Sequence, residues 1–115
     1  MDGGLHSAMM EGLASSRLDA GARYEVRRHR IDPGATLAPC AHLHRTEHWI
    51  VVQGTARLTC NGEARLYSEG QSLPIPQGQV HSLDNPGRIP VVLIDVWTGG
   101  YLAEDDLVFA PAPPF

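Results

Sequence analysis

Short runs rich in Val, Ile, Leu and Tyr recur every eight to twelve residues along the chain, separated by Gly, Pro and Asn. Strands at this spacing, with no convincing helix between them, are typical of an all-β sandwich or barrel. Asn61-Gly62 lies between two of these runs, and this dipeptide is the strongest short-range indication of a hairpin. We therefore predict one all-β domain. Its predicted strands are 24–31, 36–42, 48–53, 55–59, 64–67, 72–76, 81–83 and 91–97.

The two ends of the chain lack this pattern. Residues 5–18 alone have anything like a helical composition, and their periodicity is weak, so residues 1–22 are expected to form an N-terminal arm or a short helix. Residues 110–115 (APAPPF) have few backbone donors and are expected to form an extended tail. The barrel itself is expected to span residues 23–109.

Length and charge exclude several function classes. A chain of 115 residues is enough for one domain. Its net charge of −4 disfavours a nucleic-acid partner, because phosphate backbones are held by an excess of Lys and Arg. No apolar run approaches the length of about 20 residues that crosses a bilayer. The first residues lack the basic start of a secretion signal, so a cytoplasmic location is the default expectation.

The segment HLHRTEHW, residues 42–49, contains three histidines and a glutamate. Side chains two residues apart on a strand project to the same face, so His42 and His44 are expected to lie together. His48 joins them if the strand phase continues through residues 45 and 46. Glu47 has the opposite parity and reaches the same place only through a bulge or a turn.

Another histidine, His81, lies far along the chain after a predicted turn at 76–78. Several imidazoles that converge inside a barrel would suit Zn, Ni, Cu, Fe or Mn, whereas Ca and Mg prefer oxygen ligands. Surface or hydrogen-bonded core positions are the alternative for each single histidine. Cys40 lies two residues before His42, which makes a thiolate ligand conceivable. A small buried residue is the favoured interpretation, since neither Cys40 nor Cys60 has a spacing such as CxxC.

Two stretches resemble the motifs of the cupin superfamily. GQSLPIPQGQVHSLDN, residues 70–85, matches every defined position of the second motif, and residues 34–54 resemble the first motif with departures. The matching positions of the second motif are Gly70, Pro76, Gly78, His81 and Asn85. The resemblance implies a single-domain double-stranded β-helix, or jelly-roll barrel, that holds one divalent transition metal such as Zn, Ni, Mn, Fe or Co.

The third ligand implied by this resemblance stays open between two neighbours. Counting back from Gly54 puts Glu47 in the carboxylate position of the first motif, whereas counting on from His44 puts His48 there. Strand parity favours His48, and some small cupins with an HxHxxEH run carry four-histidine sites. The favoured ligand set is therefore the four histidines at 42, 44, 48 and 81, with Glu47 supporting the site from outside; the alternative uses Glu47 as the ligand.

A closer resemblance covers residues 24–108. YEVRRHRIDPGATL, HRTEHWIVVQGTARLTCNG and HSLDNPGRIPVVLIDVWTGGYLAEDDLV are similar to the type II phosphomannose isomerase domain that usually forms the C-terminal part of bifunctional mannose-1-phosphate guanylyltransferases. This family interconverts mannose 6-phosphate and fructose 6-phosphate by moving a proton between C1 and C2. The resemblance implies Glu47 as the base if it is not a ligand, and Arg45 as the partner of the substrate phosphate.

Departures from that family keep other functions open. Its members usually have a histidine where Leu43 stands and an arginine where Ser82 stands. We therefore retain three classes: a metal-dependent isomerase or epimerase of a sugar or sugar phosphate, a dioxygenase-like cupin, and a non-catalytic module that binds a sugar or another small metabolite. A homodimer is expected in each case, because an isolated barrel leaves a sheet edge to cover. Trp49 and Trp97 are candidates for that interface, with burial in the core equally expected.

Overall fold

The computed structural model describes residues 12–102 and 107–109, and within these ranges the chain forms strands and turns without any helix. The strands are β1 (Leu13–Ala20), β2 (Tyr24–Ile31), β3 (Thr36–His42), β4 (Thr46–Gln53), β5 (Ala56–Cys60), β6 (Glu63–Tyr67), β7 (Ser72–Ile75), β8 (His81–Asp84), β9 (Val91–Thr98) and β10 (Leu107–Phe109). The all-β prediction is confirmed. Nothing in the described ranges resembles a membrane-spanning helix.

The strands form two five-stranded antiparallel sheets that face each other. One sheet has the order β1-β2-β9-β4-β7, and the other has the order β10-β3-β8-β5-β6. Apolar side chains from the inner faces of both sheets fill the space between them. The largest of these buried side chains are Trp49, Ile31, Leu58 and Leu93. The arrangement is the predicted jelly-roll barrel, in which each strand alternates between an inner and an outer face.

The predicted hairpin at Asn61-Gly62 joins β5 to β6. Both residues have positive φ angles, 55° and 84°, as a two-residue hairpin turn requires. Asn and Gly adopt this backbone conformation at little cost, which is why the dipeptide predicts the turn so well. The turn pairs Cys60 with Glu63 and sets the register of the hairpin.

Residues 13–20 form strand β1, where the sequence suggested only an arm or a short helix. The strand pairs antiparallel with β2, from Leu13 opposite Ile31 to Ala20 opposite Glu25. Leu13 is buried while Ala14 and Ser16 are exposed, so the segment follows a strand's alternation rather than a helical period. The barrel therefore begins before residue 23. Residues 1–11 and the predicted tail at 110–115 lie outside the described residues.

The interior of the barrel is apolar at one end and polar at the other. Along β9, the inward residues change from Val91 and Leu93 to Asp95 and Trp97. Along β2, the buried positions change in the matching direction, because Glu25 pairs with Trp97 and Ile31 pairs with Val91. Buried charges are stable only when they are paired or hydrogen-bonded, so the polar end must form a connected network. The histidine-rich segment enters the barrel at this polar end.

Asn85, the last residue of the second cupin-like motif, links the end of β2 to the loop that follows β8. Its Nδ2 donates to the carbonyls of Ile31 at 2.9 Å and Ile89 at 2.8 Å, and its Oδ1 accepts from the amide of Gly87 at 2.9 Å. We expect Asn85→Ala to lower the free energy of unfolding by about 3 kcal/mol, because buried carbonyls and an amide lose their partners. Urea denaturation measures this change.

The adjacent Asp84→Asn variant is the matched control. Asp84 forms a 2.8 Å ion pair with Arg57 that is partly open to solvent, so its loss should change the free energy of unfolding by less than about 1 kcal/mol. Equal effects of the two substitutions would contradict the role assigned to Asn85.

Candidate metal centre

A β-bulge in β3 turns Cys40 and His42 toward the inside of the barrel. The register with β8 shifts between Leu37 and Cys40. Leu37 and Cys40 are therefore both buried, although residues three positions apart on a regular strand point to opposite faces. Pro39 lies within the shifted stretch and has no amide hydrogen to give to the ladder, which favours an irregularity there. Cys40 then pairs directly with His81 across the sheet.

The chain crosses from one sheet to the other between His42 and Thr46, because β3 and β4 belong to different sheets. This crossing breaks the strand, so the alternation in β3 does not continue into β4. The alternation of β4 starts again with Glu47 buried, opposite Trp97, and with His48 exposed. Glu47, rather than His48, therefore points into the barrel.

His42, Glu47 and His81 meet inside the barrel and form what we call the ligand group. One potential ligand atom from each of the three lies within 4.8 Å of the other two. Oε2 of Glu47 is 2.7 Å from Nδ1 of His42 and 3.9 Å from Nε2 of His81. Two bonds of about 2.1 Å to a shared ion can span at most about 4.2 Å. The 3.9 Å separation lies within that limit, whereas the 2.7 Å separation is shorter than two ligands of one ion allow, so Glu47 and His42 would have to move apart around the ion.

The hydrogen bond made by Nδ1 of His81 leaves the lone pair of the ring on Nε2, where Cys40 Sγ lies 3.7 Å away. Its Nδ1 is 3.0 Å from the carbonyl oxygen of Gln79, which only accepts, so Nδ1 carries the hydrogen and Nε2 carries the lone pair. Histidines that bind metals usually donate their second nitrogen to a carbonyl or a carboxylate in this way. Burial also lowers the pKa of His81, which favours the neutral ring.

Arg45 contacts the ligand group from the side. Its Nη2 is 2.5 Å from Nε2 of His42, its Nε is 3.3 Å from Glu47, and its guanidinium carbon lies 3.5 Å from the ring centre of Trp97. Because arginine only donates, Nε2 of His42 must accept, and Nδ1 of His42 carries the hydrogen in this arrangement. That nitrogen lies close to Glu47, yet its geometry does not form a hydrogen bond.

Two buried carboxyl groups at the polar end have opposite pKa shifts. Burial opposes the ionisation of Glu47, but its contact with His42 and the charges of His42 and Arg45 hold its pKa well below the usual range. Burial, together with the negative charge of Glu47, raises the pKa of Asp95 well above the usual range. Neighbouring carboxyl groups resist carrying two negative charges, so Glu47 is the ionised member and Asp95 the protonated one.

The ligand group fits a divalent transition metal. It offers an ionised carboxylate, a buried imidazole with its lone pair on Nε2, and a second imidazole whose Nδ1 makes no hydrogen bond. Two imidazoles and one carboxylate suit Zn and Fe in particular. A metal held through Nδ1 of His42 requires Arg45 to release Nε2, since the ring hydrogen must then move to Nε2.

The remaining predicted ligands lie away from this group. His44 is exposed in the crossing segment, with its ring 5.4 Å from that of Tyr101, and His48 is exposed on the outer face of β4. The structure therefore does not assemble the favoured four-histidine set, and it places Glu47 where the alternative set requires it. The sequence argument assumed an unbroken strand phase, whereas the crossing between sheets resets it.

Asp95, His29 and Trp97 are site residues that the sequence analysis did not single out. His29 connects β1 to β9: its Nδ1 is 2.6 Å from Ser15 Oγ and its Nε2 is 2.8 Å from Asp95 Oδ2. Trp97 donates to the same Asp95 oxygen at 2.8 Å. The sequence does contain one indication for Asp95, because it is a charged residue at an inward position of the otherwise apolar strand β9. Trp49 and Trp97 are both buried, so the core alternative holds for each in this chain.

A cavity of about 10 Å³ is lined by the ligand group together with Asp95 and His29. A volume of roughly 10–15 Å³ holds one water molecule or one ion. The interior in this conformation therefore has space for an ion but not for a sugar. A ligand the size of a sugar would enter this cavity only by displacing a side chain such as Arg45.

Comparisons with known proteins decide the family. The family model described as "Mannose-6-phosphate isomerase C-terminal" matches residues 10–110. The chain belongs to this family. The chain is 54% identical over 91 residues to the mannose-1-phosphate guanylyltransferase ManC of Salmonella typhimurium, covering 79% of this chain and 19% of that protein. It is 49% identical over 90 residues to the alginate biosynthesis protein AlgA of Pseudomonas aeruginosa, covering 78% and 19%.

Solved structures agree on the fold. A Klebsiella pneumoniae protein with a double-stranded β-helix domain superposes with a TM-score of 0.77 at 24% identity, covering 87% of this chain and 80% of that one. This likeness shows the fold alone. The chain spans about a fifth of the length of the curated relatives it matches. It corresponds to the cupin-type domain of these larger enzymes.

The buried imidazole of His29 makes stability depend on pH. Burial lowers its pKa from 6.5 to about 4, so between these values the unfolded chain binds one more proton than the folded chain, and stability falls as the pH falls. Between pH 7 and pH 5, this uptake of a proton by the unfolded chain should lower the free energy of unfolding of the wild type by about 2 kcal/mol. The His29→Gln variant should not show this part of the decrease. Urea denaturation at a series of pH values measures the two slopes.

His48→Gln, which removes an exposed histidine, is the control and should follow the wild-type slope. A His29→Gln variant with the wild-type slope would show that His29 does not titrate as its burial requires.

Proposed function

We propose that this domain is a metal-dependent sugar-phosphate isomerase of the mannose 6-phosphate type. The observation that supports it is the buried ligand group with Arg45 beside it, in a chain that belongs to the mannose-6-phosphate isomerase C-terminal family. A divalent ion in that group supplies a Lewis acid that stabilises negative charge on the sugar oxygens during isomerisation. Zn, Ni, Mn, Fe and Co are the candidate ions.

The chain's own groups can divide the remaining tasks. With Glu47 in the ligand group, the neighbouring buried carboxyl group of Asp95 is placed to carry the proton between C1 and C2 once it has released its own proton. This assignment replaces the expectation that Glu47 is the base. Trp97 and His29 hold the Asp95 carboxyl in place through two hydrogen bonds of 2.8 Å each.

Arg45 is suited to pair the substrate phosphate. Its Nη1 is buried and has no hydrogen-bond acceptor among the described residues, so the guanidinium retains a donor for an anionic oxygen. Arginine presents its donors in a planar fork that matches phosphate oxygens. Movement of Arg45 toward the open end of the barrel would free Nε2 of His42, as metal binding requires. The same movement would bring the guanidinium to the sugar phosphate.

The predicted homodimer and the cytoplasmic location belong to this proposal as well. The outer face of β4 and β9 carries apolar side chains that suit a contact with another protein surface. They are Ile50, Val52, Ile94 and Val96, of which Val52 is 47% exposed. A second copy of the chain is the partner we expect there.

Isomerisation of mannose 6-phosphate should depend on the ligand group. We expect metal-stripped protein reloaded in turn with Mn, Fe, Co, Ni or Zn to produce fructose 6-phosphate above a metal-only control. His81→Ala and Glu47→Gln should each lower kcat/KM at least 100-fold, since removing a directly interacting catalytic group commonly costs about that much. A coupled assay for fructose 6-phosphate measures the rate, and atomic absorption measures the bound metal.

His48→Gln is the matched control, because His48 is exposed on the outer face of the strand that carries Glu47. It should retain both metal and activity. Loss of metal in His48→Gln with retention in Glu47→Gln would restore the four-histidine set and overturn the ligand assignment. Bound metal without turnover for any ion would exclude the isomerase.

Arg45→Met should affect phosphorylated sugars selectively. The substitution keeps a long side chain beside Trp97 but removes the charge, so KM for mannose 6-phosphate should rise at least tenfold through loss of a charge-assisted hydrogen bond. Binding of unphosphorylated mannose, measured by calorimetry, should stay within about twofold of the wild type. Equal weakening for both sugars would contradict a phosphate-specific role.

A dioxygenase-like cupin is the second candidate. The observation in its favour is the composition of the ligand group, since two histidines and one carboxylate form the set that non-haem Fe(II) oxygenases use. Oxygen consumption by the Fe-loaded protein, and none by the Zn-loaded protein, would favour this function over the isomerase.

A further inference from the structure

The thiol of Cys40 lies against the ligand group inside the barrel. Cys40 has no exposed surface, and it sits directly opposite His81 in the pairing of β3 with β8. Its Sγ is 3.7 Å from Nε2 of His81. This is the nitrogen whose lone pair faces away from the Gln79 carbonyl, so the thiol donates its hydrogen to the same lone pair that a metal would use.

The distance between these two atoms suits two ligands of one ion. Zinc binds thiolate sulfur at about 2.3 Å and imidazole nitrogen at about 2.1 Å, which places the two atoms about 3.6 Å apart in a tetrahedral site. The observed 3.7 Å is close to that value. A second feature lies at the other imidazole: Nδ1 of His42 is buried 2.7 Å from Glu47 Oε2, and the two atoms are not aligned for a hydrogen bond.

We propose that the Cys40 thiolate completes the ligand group as a fourth metal ligand. The proposal rests on the metal site of the proposed function and adds to it a sulfur atom. The sulfur lies on the His81 side, and the compact group formed by the other three ligand atoms does not include it. Binding therefore requires a rotation of the Cys40 side chain toward the ion. As the sulfur–metal bond forms, the S–H bond breaks and its proton passes to solvent.

A sulfur ligand would narrow the choice of metal. Thiolates favour Zn, Co, Fe and Cu(I), whereas Mn and Mg prefer oxygen-rich sites. Cys40 would also take the place that the sequence argument assigned to His44, which is exposed outside the barrel. The other cysteine, Cys60, donates to Gln79 Oε1 at 3.1 Å and is only partly buried, so it is a natural comparison.

Cobalt absorption tests this assignment in the full chain. Metal-stripped wild type titrated with Co²⁺ should develop a near-ultraviolet thiolate-to-cobalt charge-transfer band together with visible ligand-field bands. Cys40→Ser should lose the charge-transfer band and bind Co²⁺ at least tenfold more weakly, since even partners outside the ligand shell commonly change metal affinity by about 10–100-fold. Cys60→Ser should keep both the band and the affinity.

The other outcomes separate this proposal from the function it extends. Visible cobalt bands without a charge-transfer band in the wild type would overturn the Cys40 ligand and leave the metal site intact. A band lost in Cys60→Ser and kept in Cys40→Ser would also overturn it. No cobalt binding at all would overturn the metal site itself.

A measurement on the wild type alone guards against a Cys40→Ser variant that does not fold. X-ray absorption of the Zn-loaded protein should show one sulfur neighbour at about 2.3 Å. A zinc environment with only nitrogen and oxygen neighbours would overturn the proposal.

Discussion

The ionised carboxylate of Glu47, buried inside the barrel, sets the arrangement of the polar end. A buried negative charge is stable only when cations or donors surround it, because the protein interior screens charge poorly. Arg45 supplies the positive charge, His42 lies 2.7 Å from one carboxylate oxygen, and Trp49 donates to the other oxygen at 3.0 Å. The same requirement favours binding of a metal ion beside Glu47. The ion would provide positive charge that Arg45 provides in this structure.

The neighbouring carboxyl group of Asp95 follows from that charge. Since Glu47 is ionised, Asp95 is held protonated and relies on a hydrogen bond donated by Trp97 and on one shared with His29 rather than on a cation. Ser15 on the edge strand β1 holds the far side of His29. The edge strand is thereby linked to the site, although it contributes no ligand, so packing of β1 and chemistry at Glu47 depend on each other.

The two positions at which the resemblance led us to expect basic side chains lie at different places in the fold. Leu43, where a histidine was expected, is 55% exposed in the crossing between β3 and β4. Ser82 follows His81 on β8 and is half-buried, on the face opposite to that histidine. Neither position belongs to the ligand group. The buried ligand residues are therefore separate from both positions.

Local patterns determined the fold class, most strand positions and one end of the site. Alternation of apolar residues and the Asn61-Gly62 turn depend only on neighbours along the chain. The spacing of the second motif singled out His81 and Asn85, and both are buried in the structure. Alternation along β3 also accounts for the inward position of His42, because His42 lies two residues after the buried Cys40 that follows the bulge.

The choice between Glu47 and His48 depended on tertiary structure. These neighbours point to opposite faces, and which one points inward depends on where β4 begins after the chain has crossed between sheets. The partners of Glu47 were equally beyond the sequence, because Trp97, Asp95 and His81 reach it from strands distant along the chain. Long-range pairing between strands, rather than the properties of single segments, decides which side chains share a buried charge.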